Sequence, residues 1–173
     1  METNPGVVYA ASTVLDDLIY IYGGDRYDCF DPKIKDISTL TASGKFTRLQ
    51  TVGDSPYPRF YQFHQSWSYD GKIFFFGGQV LEKDKTREEE FVVWDTGYVE
   101  EGIRYNNGYF TNQLYQFDPR TRAFERLTTT GEKPSPRINF SVAQFDHRVF
   151  IHGGFCAETH LSDFFVLNLE TMA

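Results

Sequence analysis

Asp70-Gly71-Lys72-Ile73-Phe74-Phe75-Phe76-Gly77-Gly78 decides the fold, because the chain carries the same pattern three times. Asp16-Asp17-Leu18-Ile19-Tyr20-Ile21-Tyr22-Gly23-Gly24 precedes it, and Asp146-His147-Arg148-Val149-Phe150-Ile151-His152-Gly153-Gly154 follows. Each time an aspartate opens a turn seven residues before the first glycine, and a β-forming run leads into the pair. A unit repeated along a chain is one supersecondary piece that must stack on its neighbours to bury its apolar face. Asp70-Gly71 has the chemistry of a tight hairpin turn, which requires positive φ. No segment sustains helical spacing of apolar residues.

A second block repeats with the first. Lys45-Phe46-Thr47-Arg48-Leu49-Gln50-Thr51-Val52-Gly53-Asp54-Ser55-Pro56-Tyr57-Pro58-Arg59 recurs, at a constant offset of 78 residues, as Ala123 through Arg137, with Phe, Arg, Leu, Gly, both Pro and the final Arg coinciding. A third element reads Asn112-Gln113-Leu114-Tyr115-Gln116-Phe117-Asp118 and again Ser162-Asp163-Phe164-Phe165-Val166-Leu167-Asn168, with a degenerate copy around Asp36–Leu40. Each repeat thus offers four short strands. The first is expected at about Gly6–Ser12, Gln62–Tyr69 and Asn139–Phe145. The second ends at the glycine pair, the third is the Leu-Tyr-x-Phe or Phe-Phe-Val-Leu segment, and the fourth carries Phe46 or Phe124.

Four antiparallel strands per unit, with paired glycines and a late aromatic, describe a propeller blade. The expected architecture is all-β: a β-propeller fragment of about three four-stranded blades, the last incomplete. Blade 1 covers residues 1–50, blade 2 covers 51–128 with an inserted loop at 79–110, and blade 3 covers 129–173. Gly23, Gly24, Gly77, Gly78, Gly153 and Gly154 are read as structural, lying where a Cβ would meet a neighbouring strand near a crowded hub. Two blades and three-quarters of a third fall short of a closed ring, so the chain reads as a fragment, a truncated isoform or a partial gene model. A three-blade unit completed by dimerisation is the other reading.

The 173 residues suffice for one domain with a real core, and 17% of them are aromatic. A net charge of −7 argues against a nucleic-acid footprint, which needs clustered Lys and Arg. Cys29 and Cys156 lie in different repeats and make no disulfide framework, so both are expected as reduced thiols. No basic-then-apolar leader follows Met1, and no apolar run approaches the roughly 20 residues of a spanning helix. A soluble cytoplasmic or nuclear protein with no membrane partner is the expectation.

The glycine pair, the Leu-Tyr-x-Phe-Asp-x-x-Thr segment, the late aromatic and the Pro-x-Pro-Arg linker together resemble the kelch family, over essentially the whole chain. Phe46 and Phe124 depart from the Trp usual there. The histidine often found three residues after the linker arginine is replaced by Gln62 and Phe140. In layout the chain is similar to kelch-only substrate receptors of cullin-RING ubiquitin ligases, which have an expanded, aromatic-bearing repeat followed by Gly-x-x-Pro-Ser-Pro-Arg. That resemblance implies a protein-interaction module, capture of a substrate tail, and cullin-RING components reached through regions outside this chain. Where such receptors clamp a terminal carboxylate with arginines, this chain has Phe155-Cys156-Ala157-Glu158-Thr159-His160, so ligand identity does not carry over.

Glycine pairs one and two lie 54 residues apart, but two and three lie 76 apart. The excess, Gln79–Phe110, opens with the charged run Glu82–Glu90 and continues with Phe91, Trp94, Tyr98, Tyr105, Tyr109 and Phe110. The charges read as a solvated loop, and the aromatics as packing back onto the propeller or meeting a partner.

In an antiparallel meander, the loop after each glycine pair and the Pro-x-Pro-Arg linker emerge on one face, and binding residues favour such loops. The candidate ligand face therefore comprises Arg26, Tyr27, Arg59, Tyr61, Gln79, Arg137, Phe155 and His160, with Asp25, Phe60 and Ile138 beside them. Arg59 and Arg137 have the geometry to grip a carboxylate bidentately; bonding to loop carbonyls or a neighbouring blade is the favoured alternative. His64, His147, His152 and His160 show no metal-ligand spacing, and no nucleophile–base pair is evident, so neither metal, cofactor nor catalysis is expected. A cytoskeletal or other scaffold is the alternative function, and a kelch-fold oxidase or isomerase the less favoured one.

Overall fold

The computed structural model describes residues 9–24, 37–53, 55, 63–80, 91–94, 99–100, 103–104, 108–157 and 159–173. The described residues contain strands and turns and no helix. Sheet one is a meander of β1 (Ala11–Leu15), β2 (Leu18–Tyr22), β3 (Ile37–Thr41) and β4 (Phe46–Leu49). The second repeat begins with β5 (Val52–Gly53), β6 (Gln65–Tyr69) and β7 (Lys72–Phe76). Within the inserted segment lie β8 (Gln79–Val80), β9 (Phe91–Trp94), β10 (Val99–Glu100), β11 (Ile103–Arg104) and β12 (Gly108–Thr111). The second repeat ends with β13 (Leu114–Asp118) and β14 (Ala123–Leu127). Sheet three comprises β15 (Ser141–Phe145), β16 (Arg148–Cys156) and β17 (Thr159–Asn168).

Sheet two has the order β5-β14-β13-β7-β6. Its outermost strand comes from the linker: β5 pairs parallel with β14, Val52 opposite Ala123 and Gly53 opposite Phe124. Successive repeats are tied together in this way. The inner edges meet as well, since β1 lies against β6 and Ser68 Oγ donates to the Val14 carbonyl at 2.9 Å. The hairpin turns follow the aspartates. Asp16, Asp70 and Asp146 all sit at positive φ, a conformation whose cost a short polar side chain lowers. β3 forms in spite of its weak sequence, because Ile37 is fully buried between the sheets.

Two cores separate the three sheets. The first holds Tyr20, Tyr22 and Ile37 of sheet one against Ile73, Phe75, Tyr115, Phe117 and Phe124 of sheet two. The second holds Trp67, Phe74, Phe76 and Leu114 of sheet two against Phe140, Val149, Ile151 and Leu169 of the third repeat. Strand β7 explains the division, because its side chains alternate faces. Ile73 and Phe75 enter one core, while Phe74 and Phe76 enter the other.

Three expectations need correction. The first strands begin later than expected, at Ala11, Gln65 and Ser141. Tyr9, Phe63 and Asn139 each precede their strand by two residues in a left-handed conformation that extended pairing does not tolerate. Gln62 does not stand in the place of Phe140; His64 does. Gln65 pairs with Phe76 as Ser141 pairs with His152, so the second repeat is two residues longer before its first strand. Finally, β16 does not stop at its glycine pair. It runs through Gly153 and Gly154 with a bulge and forms a hairpin with β17.

The inserted segment is partly sheet: β12 lies between β8 and β9, and β10 pairs with β11. Phe110 is fully buried and Tyr109 packs against the first core, so these two aromatics fold back onto the protein. Glu82–Glu90, Tyr98, Tyr105 and the side chains of Phe91 and Trp94 lie outside the described residues.

Candidate binding face

The linker Pro134-Ser135-Pro136-Arg137 passes between two glycine pairs. The Gly78 N–H donates to the Arg137 carbonyl at 2.9 Å, and the Arg137 N–H donates to the Thr111 carbonyl at 3.3 Å. On the other side, Ile138 and Phe155 exchange backbone bonds at 3.1 and 2.9 Å. This passage is what the glycines make room for. A Cβ on Gly77 would come within 2.7 Å of the Phe140 ring and 3.0 Å of the Arg137 carbonyl. On Gly154 it would come within 2.8 Å of the Ile138 carbonyl, at φ +110. The obstacle is therefore the backbone entering the next repeat.

Arg137 is fully buried. Its guanidinium has five N–H donors, and five bonds take them up. Nε donates to the Ser135 carbonyl at 3.0 Å, and Nη1 to the Gly153 carbonyl at 2.9 Å and Asp163 Oδ1 at 2.6 Å. Nη2 donates to Ser135 Oγ at 3.1 Å and Asp163 Oδ2 at 2.8 Å. Phe165 lies 5.4 Å from the guanidinium carbon. The bidentate grip expected for a ligand is made on the chain's own Asp163, whose carboxyl is thereby held below the usual range. Arg137 staples linker, glycine pair and third strand, and contributes no free donor to the face.

Gln79 is also buried and pairs through β8 with Phe110 of β12. Arg26, Tyr27, Arg59 and Tyr61 lie outside the described residues. Phe155 and His160 do come together, directly opposite each other on the β16–β17 hairpin with rings 5.4 Å apart. Phe155 is half-buried, its other side met by the edge of Phe110 at 6.2 Å. His160 is exposed. The described part of the face is thus a small aromatic platform anchored from beneath by the inserted segment.

Its chemistry favours contact over reaction. Burial pushes the Cys156 thiol up, with Arg137 opposing weakly, so the sulfur has no thiolate character to exploit. Among the described residues, no three His, Cys, Asp or Glu side chains cluster as metal ligands. Nor is any helix there long and apolar enough to cross a membrane.

Asp163 is the residue that sequence reasoning missed. The signal was available, because Gln113 and Asp163 occupy the same place, two residues before the positions paired with Phe75 and Ile151. In the second repeat Gln113 takes that place and accepts instead from the Tyr115 hydroxyl.

The profile of the KLHDC2/KLHL20/DRC7 Kelch-repeats domain matches residues 2–173. Kelch domain-containing protein 1 of Mus musculus is 25% identical over 98% of this chain and 41% of its own length. Kelch domain-containing protein 3 of Homo sapiens is 27% identical over 91% of this chain and 37% of its own. Tip elongation aberrant protein 3 of Schizosaccharomyces pombe is 27% identical over 91% of this chain and 14% of its own. The chain therefore spans about two-fifths or less of the length of these relatives.

Proposed function

The chain belongs to the KLHDC2/KLHL20/DRC7 family of kelch-repeat domains, and from that premise we propose that it works as a protein–protein interaction module. The observation that carries this reading is the fate of its polar groups. Arg137, the one described basic residue of the expected ligand face, spends all five donors within the protein. What remains exposed around it is the His160 ring beside half-buried Phe155, with polar Ser135, Asn139 and Thr159, a mixed surface of the kind that recognises a polypeptide by shape and burial. The partner site on this reading is the platform of Phe155 and His160.

The finer proposal is a substrate-recognition role in a cullin-RING ubiquitin ligase, acting in the cytoplasm or nucleus. It is supported by the order of pieces: an expanded aromatic repeat, then Gly131-Glu132-Lys133-Pro134-Ser135-Pro136-Arg137, then a glycine-pair sheet. Affinity purification of the full-length product tests it. Elongin and cullin subunits recovered with the protein support the receptor, and cytoskeletal proteins in their place support a scaffold. His160→Ala removes an exposed ring, so it is expected to weaken partner recovery while leaving the unfolding free energy within about 0.5 kcal/mol of wild type. Unchanged recovery rules out the platform.

A further inference from the structure

Ser135 stands between Pro134 and Pro136 in the linker that enters the third repeat. It is exposed, as are Gly131, Glu132 and Lys133 before it, and both prolines are half-exposed. None of these residues belongs to a strand. A residue before proline is pushed toward extended backbone, so the stretch is presented at the surface in an extended form. The repeat itself does not call for serine here, because the sequence places Tyr57 at the same point of the preceding linker.

Behind the Ser135 hydroxyl lies the buried guanidinium of Arg137. Nη2 donates to Ser135 Oγ at 3.1 Å and to Asp163 Oδ2 at 2.8 Å. Because all five donors are taken, an anion arriving at Ser135 is met only by taking a donor from an acceptor already present. Two of those acceptors, the Ser135 and Gly153 carbonyls, are neutral main-chain groups. Asp163 is a charged side chain, 38% exposed, and water is open to it if it lets go. A phosphoryl group on Ser135 Oγ brings a charge of about −2 and three strong acceptor oxygens beside Nη2. It attracts the guanidinium and repels the carboxylate that shares the same nitrogen.

We infer that Ser135 is a phosphorylation site, and that a phosphate there draws Arg137 away from Asp163 and loosens the β16–β17 hairpin. The donor is ATP, held by a serine kinase that accepts Ser-Pro. The Ser135 Oγ–P bond forms as the bond from the γ-phosphorus to the β–γ bridging oxygen breaks. The hydroxyl proton passes to the kinase's base, and ADP leaves. Arg137 ties the linker to both strands of the hairpin, through Gly153 and Asp163, beside the bulge between His152 and Gly154. Phe155 and His160 lie just beyond that bulge, so release of Asp163 frees the strand that carries His160. This deepens the proposed function, on which it rests for its partner readout, by naming how the platform is regulated.

The test treats the full-length product with a proline-directed serine/threonine kinase and ATP. Tandem mass spectrometry then locates phosphoserine, and deuterium uptake measures amide exchange. Phosphate on Ser135 of the folded protein is expected, with severalfold faster exchange at residues 159–163 and unchanged exchange in sheet one. Partner recovery should fall severalfold. Ser135→Ala leaves Nη2 on Asp163, so it should keep wild-type exchange and show no response to the kinase. Asp163→Asn removes the charge that the phosphate repels, so phosphorylation in that background should add no further acceleration. Absence of phosphate on Ser135 overturns the site. Unchanged or slower exchange at 159–163, equal acceleration in sheet one, or an undiminished effect in Asp163→Asn overturns the switch. Faster exchange with undiminished partner recovery rejects the platform alone. Loss of recovery in His160→Ala, with exchange indifferent to phosphorylation, rejects the switch alone.

Discussion

The interface between sheets one and two and that between sheets two and three are built from the same positions, yet among the described residues only the first holds a fourth-strand aromatic, Phe124. Phe124, 3% exposed, reaches from β14 into the first and touches three aromatic rings. Around it Tyr115 and Phe117 are buried, whereas their counterparts Phe165 and Leu167 are only partly so. Phe124 packs there beside a direct contact between the two sheets, Tyr22 against Phe75 with rings 5.1 Å apart, and a filled interface of this kind gains contacts that an unfilled one lacks.

The largest expected effect comes from unmaking the first interface. Phe124→Ala removes a buried ring from a filled core and should cost about 3–5 kcal/mol in denaturant unfolding. Leu167→Ala, at a partly buried position against the second core, should cost less than about 2 kcal/mol. Equal losses would mean that the two interfaces are not unequal at all.

A second difference concerns His64 and Phe140, which fill the same register and pack against Tyr22 and Phe76 respectively. Burial pushes the His64 imidazole down to about 3, against a smaller opposing pull from the Tyr22 backbone. Its ordinary value is 6.5, so between pH 6.5 and 3 the unfolded chain binds a proton that the folded chain does not. Stability should therefore be full above pH 6.5 and decline as pH falls below it, by up to about 1.4 kcal/mol per pH unit from this group. His64→Phe, which copies the second interface, should remove that part of the slope. A pH profile of the unfolding midpoint that is identical in the variant would refute the assignment.

The smallest expected effect is at the linker glycines. Both have positive φ, so Ala is strained at either by about 1 kcal/mol. Gly131→Ala should cost only that, whereas Gly53→Ala also drives a Cβ to within 2.4 Å of the Phe124 carbonyl oxygen and should cost more. Thermal unfolding of the two variants side by side measures the difference.

Much of this was legible in the residues. The repeated Asp-to-Gly-Gly segments located every second strand, and the turn aspartates adopt the φ their chemistry favours. The 78-residue offset was legible too, but it hid the extra pair of residues before β6, because an indel inside a loop leaves the flanking motifs intact. The candidate face was harder. Arginine after Pro-x-Pro reads equally as a ligand clamp or a staple, and only the position of Asp163 across the sheet decides between them. Phe155 and His160 are five residues apart in sequence, and it is the hairpin running through a glycine pair that sets their rings together.

What the chain determined by itself is the local grammar: alternation that makes strands, positive-φ turns that make hairpins, and repetition that demands stacking. Those are contacts within a few residues, so side-chain type and spacing are enough to specify them. Which polar groups are consumed and which rings meet depend on residues tens of positions apart. Burial and hydrogen bonding between repeats settle such questions, and they exist only once the sheets are packed face to face.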